Sequence, residues 1–250
     1  MKKNLKFCLI TVPYIGIATF FIFNIIAISQ FPGYDKCAFF ESNNCKSDQY
    51  SFKLNFFSEL GSLNTNTDDD YLAQREGDNN KKNTVSMIFF NTSLLVVGII
   101  IVVFYQSFNK FFNLKEDSLK SIRYSKICKY LGLITGIMFA GVGLAPHDLN
   151  FTLHVFFANG AFSCLLILSI LHTLTFKESK YIYSRYSYGY ILFCIFLAIY
   201  LYIIFLGPSI GPGLEFSENE LIFQVVAQKV IILTFILSMF YQTRGIARVL

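Results

Sequence analysis

The sequence predicts an all-α, polytopic membrane protein with six transmembrane helices and both termini cytoplasmic. Three observations carry that expectation. The 250 residues are 54% hydrophobic and only 15% charged, too apolar and too poor in charge for a soluble domain. Six apolar runs, at about 7–29, 85–107, 127–145, 151–175, 187–206 and 220–242, approach the roughly 20 residues that a spanning helix needs. Lys and Arg gather in alternate links: the N-terminus, 108–129, 177–186 and the C-terminus. That bias places those links in the cytoplasm.

The elements follow in order. The first run holds Pro13, Gly16 and one amide, Asn24, and is too long for a cleaved secretory signal. Next comes an outer loop at 32–84 with nine acidic residues against six basic. Its stretch FKLNFFSELGSL, from Phe52 to Leu63, either lies at the interface or dips into the bundle. An insert at 65–82 has almost no apolar side chains and is expected to be flexible. The whole chain, 1–250, forms a single six-helix domain around these features. Cys37 and Cys45 share the outer loop, where a disulfide forms if that side is oxidising, with two separate thiols as the alternative.

Span two carries Asn91, Thr92 and Ser93 in its first turns. The basic link 108–129 reads as a positive-inside loop or an interfacial amphipathic helix. Gly132, Gly136 and Ala140 line one face of span three, which is expected to pack closely on span four. Five tyrosines in YIYSRYSYGY suit an aromatic belt before span five. Span six holds Gln224, Gln228 and Lys229 in its outer half.

The candidate site lies where the outer ends of spans two, four and six share a depth. The stretch Gly141–Phe162 brings His147, Asp148, His154 and Asn159 together, and Asn91, Gln228 and Lys229 join them. Lys229 sits where a charge costs roughly 2.5–3.5 kcal/mol, so it either reaches Glu59, Asp148, a backbone carbonyl or water, or meets an anionic headgroup. Asp148 or Asn150 can cap the fourth helix. His154 is either an interhelical contact or a headgroup contact or general base. His147 and His154, seven residues apart, would stand roughly 10 Å apart along a helix. One zinc ion with Asp148 or Glu59 could take both only if His147 leaves the helix, and no metal or cofactor is expected. Ser58 is the candidate nucleophile beside those histidines.

The order FSELG, SMIFFNTSLLVVG, GLITGIMFAGVGLAPHDLNFTLHVFFANGAF, and a last span with QK before an apolar run resembles a prokaryotic six-span membrane protein family of unknown function, related to the Frag/DRAM/Sfk superfamily. The resemblance covers nearly the whole chain. It implies lipid-related membrane work and makes His154 the family's span-four histidine. Lys229 stands where the family commonly has arginine, which weakens a bidentate grip on phosphate, and the insert lengthens the outer loop.

These readings predict a multi-pass protein of the cell membrane whose partner is membrane lipid. A lipid headgroup or small anion would bind in an outward cavity through Asn91, His154, Asn159, Gln228 and Lys229. The alternative is an interfacial lipid hydrolase or acyltransferase using Ser58 with His147 or His154 and Asp148. A net charge of +5 sits at the cytoplasmic edges, where it meets anionic headgroups, so no nucleic-acid partner is implied. A transporter is disfavoured because the inner halves of the spans offer no polar path.

Overall fold

The computed structural model describes residues 2–36, 45–65, 81–210, 214 and 216–250. Among them six helices are long and apolar enough to cross a membrane: α1 (Lys3–Ser29), α2 (Thr84–Leu114), α3 (Leu119–Leu144), α4 (Phe151–Lys177), α5 (Ser184–Leu206) and α6 (Glu218–Ala247). Helices adjacent in sequence pack side by side, and α1 meets α6 only sparsely. The bundle is therefore a ring with its seam between the first and last helices. With six crossings, the termini share one end, here called the terminal end, and the loops at 30–83, 145–150 and 207–217 share the other, the loop end.

Local chemistry sets the helix ends. Pro13 has no N–H to donate, and one π turn, Phe7–Thr11, precedes it without breaking α1. Asn150 caps α4 by accepting the Leu153 N–H at 2.9 Å, and Ser217 and Glu220 form a capping box on α6. The link at 108–129, read as a loop or an interfacial amphipathic helix, is mostly helix, made of extensions of the two spans and not of a separate element. α2 runs on to Leu114 and α3 begins at Leu119, because Phe108, Phe111 and Phe112 are buried in the terminal-end core and continue the helical period beyond the apolar run. Asp117 ties the short turn between them, accepting the N–H groups of Ser118 and Lys180 at 2.7 Å each and the Ser179 hydroxyl at 2.6 Å.

The small-residue face of α3 meets α2, not α4. A Cβ on Gly136 would stand 2.5 Å from the Gly98 carbonyl oxygen, and one on Gly132 would stand 2.7 Å from the Tyr105 Cβ. Ala140 approaches Gly98 on the same side. α4 packs on α3 through Phe157 against Gly141 and Met138 against Gly160. The sequence pattern identified a close-approach face correctly but could not choose between two flanking helices of similar apolarity.

The segment between α1 and α2 folds onto the bundle rather than lying at its rim. Two short antiparallel ladders, β1 (Tyr34–Asp35) with β2 (Lys46–Ser47) and β3 (Asn64–Thr65) with β4 (Lys81–Lys82), close its two excursions. The second ladder pairs the two ends of the expected flexible insert, and residues 66–80 within it lie outside the described residues. Between the ladders Leu54, Asn55, Phe56, Glu59 and Leu60 are buried, and a 3-10 turn spans Phe57–Gly61. Gly61 lies flat on α2, where a Cβ would strike the Asn91 side-chain oxygen and the Phe90 ring. Cys45 is disulfide-bonded, and its expected partner, Cys37, lies outside the described residues. Cys8, Cys128, Cys164 and Cys194 are free.

Candidate functional site: a roofed central cavity

The largely buried stretch Leu54–Asn64, with Tyr50 beside it, forms a roof over the loop end of the ring. Irregular backbone among transmembrane helices is tolerated only where every polar group finds a partner. Here the partners come from the polar residues singled out in the spans. Asn91 of α2 donates its side-chain amide to the Gly61 carbonyl at 3.0 Å. Gln228 of α6 accepts the Phe57 N–H at 3.0 Å. Lys229 donates to the Asn55 carbonyl at 2.7 Å. Asp148, in the α3–α4 turn, accepts the N–H groups of Leu63 and Asn64, both at 2.9 Å. The remaining side is held by Asn83, which donates to the carbonyls of Leu60 and Ser62 at 3.1 and 2.9 Å.

A buried charge pair stiffens the roof. Lys36 lies 3.2 Å from the Glu59 carboxylate and also donates to the Leu54 carbonyl. Glu59 accepts the Phe56 N–H at 2.7 Å and the Asn55 side-chain amide. Lys229 was expected to reach Glu59, Asp148 or a backbone carbonyl. It takes the carbonyl of Asn55, and the Phe57 and Tyr50 rings face its ammonium at 5.1 and 5.6 Å. The Tyr50 hydroxyl shares that carbonyl at 2.9 Å. Burial first, and the Glu59 charge second, push the Tyr50 phenol well above its ordinary range.

Asn55 and Lys36 were missed as site residues. The signal for Asn55 was present, a lone amide inside FKLNFF, where an unpartnered polar group is expensive. Lys36 gave none, being one of many loop lysines.

The two histidines also serve the backbone. The ring of His154 sits 2.7 Å from the Ala145 carbonyl through Nδ1, so Nδ1 carries the proton and Nε2 presents a lone pair. His154 thereby satisfies an orphan carbonyl at the end of α3. His147 is 1% exposed, and its ring lies 5.8 Å from that of His154. This is closer than helical spacing allows because His147 precedes α4 and its turn folds back. Among the described residues no group of three or more His, Cys, Asp or Glu is placed to hold a metal ion.

Below the roof all six helices enclose a cavity of about 710 Å³. Its lining is dominated by aliphatic and aromatic side chains. The polar exceptions near the roof are Ser58, His154, Asn159, Ser209, Gln224 and Gln228. Gln224 is spent on the Pro208 carbonyl at 2.7 Å and Gln228 on the roof, whereas Ser58 and Asn159 make no side-chain hydrogen bond among the described residues. Asn91, Lys229, His147 and Asp148 are not among the lining residues. The lining reaches Met239 of α6, 15 residues beyond Gln224, which is about 22 Å of helix.

The terminal half holds a polar centre that the sequence reading passed over. His172 is wholly buried, stacked on Tyr190 at 4.4 Å and bonded through Nδ1 to the Tyr105 hydroxyl at 3.1 Å. Tyr105 and Tyr190 both line the deep end of the cavity.

These features define a six-helix multi-pass membrane protein with a roofed, mainly apolar central cavity. Comparison of the chain with family models, with curated proteins and with solved structures gives no match in any of the three.

Proposed function

We propose that the protein binds a membrane lipid, with an apolar chain in the central cavity and the headgroup at its roofed end. The observation that carries this reading is the shape and chemistry of the cavity: about 710 Å³ of largely apolar lining, with the unpaired side chains of Ser58 and Asn159 and the lone pair of His154 at one end. Pockets of that size with few convergent polar groups are the usual form of small-molecule sites. Asn91, Gln228, Lys229 and Asp148 serve it by holding the roof. The lipid-related work implied by the resemblance of the sequence supports the same reading, and the Lys/Arg bias supports a cell-membrane protein with cytoplasmic termini.

Native mass spectrometry of the purified protein with lipid identification tests the proposal. A co-purifying lipid is expected, and Ala158→Phe, which fills the cavity, is expected to displace it. Protein that carries no lipid, or a variant that retains it fully, would count against the reading.

A second reading, lipid hydrolysis or acyl transfer, draws on one observation. Ser58, which makes no side-chain hydrogen bond among the described residues, and His154 both line the cavity. The Ser58 hydroxyl bonds to neither histidine, and Asp148, its expected carboxylate partner, is committed to the roof. Unchanged lipid turnover in membranes containing Ser58→Ala would rule this reading out.

A further inference from the structure

The geometry points to an anionic phospholipid as the occupant, entering sideways through the α1–α6 seam with its phosphate beside Lys229. This inference rests on the lipid-binding reading and adds the charge of the headgroup and the route.

Two lysines serve the roof, Lys36 and the half-buried Lys229, and its two carboxylates, Glu59 and Asp148, are engaged elsewhere, Asp148 with the Leu63 and Asn64 N–H groups. Glu59 is already paired with Lys36, and no carboxylate among the described residues pairs with Lys229. Its ammonium has a strong bond only to the Asn55 carbonyl, with the Val225 carbonyl at 3.5 Å. A backbone carbonyl and two ring faces solvate a cation but do not neutralise it. A lipid whose chain enters the cavity would carry its phosphate toward the roof, and that phosphate is the counter-charge a bilayer can bring to a lysine below its own surface.

Lys229 also lies where a lipid would enter. α1 and α6 close on each other toward the terminal end, where the Tyr14 and Phe240 rings stand 5.4 Å apart. Pro13 and Met239, beside that contact, line the cavity, and nearer the roof so do Gly16 and Phe20 of α1 and Gln228 and Ile232 of α6. Phe57 joins the two places. Its ring lines the cavity, approaches Phe20 at 6.4 Å and faces the Lys229 ammonium at 5.1 Å. A chain passing through the seam would bring its headgroup against this lysine.

The test titrates the full-length protein in detergent with three probes: dioctanoylglycerol, dioctanoyl phosphatidylglycerol and inorganic phosphate. Phosphatidylglycerol is expected to bind roughly tenfold tighter than dioctanoylglycerol, the scale of one charge-assisted contact, and phosphate alone to show no comparable binding. Lys229→Gln keeps a donor for the Asn55 carbonyl and removes the charge, so it should bring phosphatidylglycerol down to the dioctanoylglycerol level. Lys229→Arg should keep the preference. A preference that survives Lys229→Gln, or equal weakening of both lipids, overturns the inference, as does phosphate binding as tightly as the lipid. Failure of both lipids to bind would instead overturn the lipid-binding reading itself.

Discussion

Asp148, in the turn between α3 and α4, accepts the backbone N–H of Asn64 at 2.9 Å across 84 positions of sequence. The same carboxylate oxygen takes the N–H of Leu63, so one side chain closes the end of the roof. Helix capping, the alternative role for this residue, falls to Asn150.

Replacing Asp148 with Ala should therefore leave two backbone donors without their acceptor and cost about 1–3 kcal/mol. Asp148→Asn keeps one acceptor oxygen and should lose less. Thermal unfolding in detergent, with trypsin cleavage at Lys53 as a local reporter, measures both. Equal stability of Asp148→Ala and the parent would show that the roof does not depend on this contact.

The α2–α3 interface makes a sharper steric prediction. At Gly98 an added Cβ meets backbone, the Gly136 carbonyl oxygen at 2.5 Å, whereas at Gly160 it meets the Met138 sulphur at 2.9 Å. Backbone cannot yield, but a methionine side chain can swing away. Gly98→Ala should thus destabilise by about 1–3 kcal/mol, and Gly160→Ala by much less. Similar melting temperatures for the two variants would contradict the close approach.

How much of this was legible follows from what each signal measures. Hydropathy reports transfer into lipid, so it located the six helices. It set the wrong ends for α2 and α3, because Phe108, Phe111 and Phe112 continue as helix among lysines. The polar residues Asn91, Gln228 and Lys229 were visible as costly groups in apolar runs, and Asp148 as a charge in the turn between two of them. That they hold the roof depends on a contact such as Gln228 with Phe57, 171 positions away, which no local pattern encodes. His172 escaped notice because it follows an apolar stretch, and its partners Tyr105 and Tyr190 read as ordinary aromatic residues.

Tyr50 links the roof to pH. Its folded-state pKa is raised above its ordinary value of 10.0, so it contributes its full stability below pH 10. That contribution falls as pH rises above 10, where the unfolded chain loses its phenolic proton first. Tyr50→Phe lacks this titration, so its stability should fall less steeply than the parent's above pH 10, despite the lost bond to the Asn55 carbonyl. Unfolding measured across pH 9–11 checks the difference in slope, and parallel curves would oppose it.

His172 provides the most decisive test of the terminal half. The imidazole is stacked among Tyr190, Phe108 and Phe176, with ring centroids 4.4–4.6 Å away, so a phenyl ring fits its place by shape. What phenylalanine lacks is the ring nitrogen hydrogen-bonded to the Tyr105 hydroxyl. His172→Phe should therefore cost about 1–3 kcal/mol by leaving that buried hydroxyl without its imidazole partner. Tyr105→Phe removes the hydroxyl, and replacing both partners with apolar groups of similar shape can be nearly neutral. The double variant should consequently be more stable than the sum of the single losses implies, by about 1 kcal/mol or more in a double-mutant cycle. Strict additivity would mean that the His172–Tyr105 bond contributes nothing and that the ring stack alone holds this part of the core.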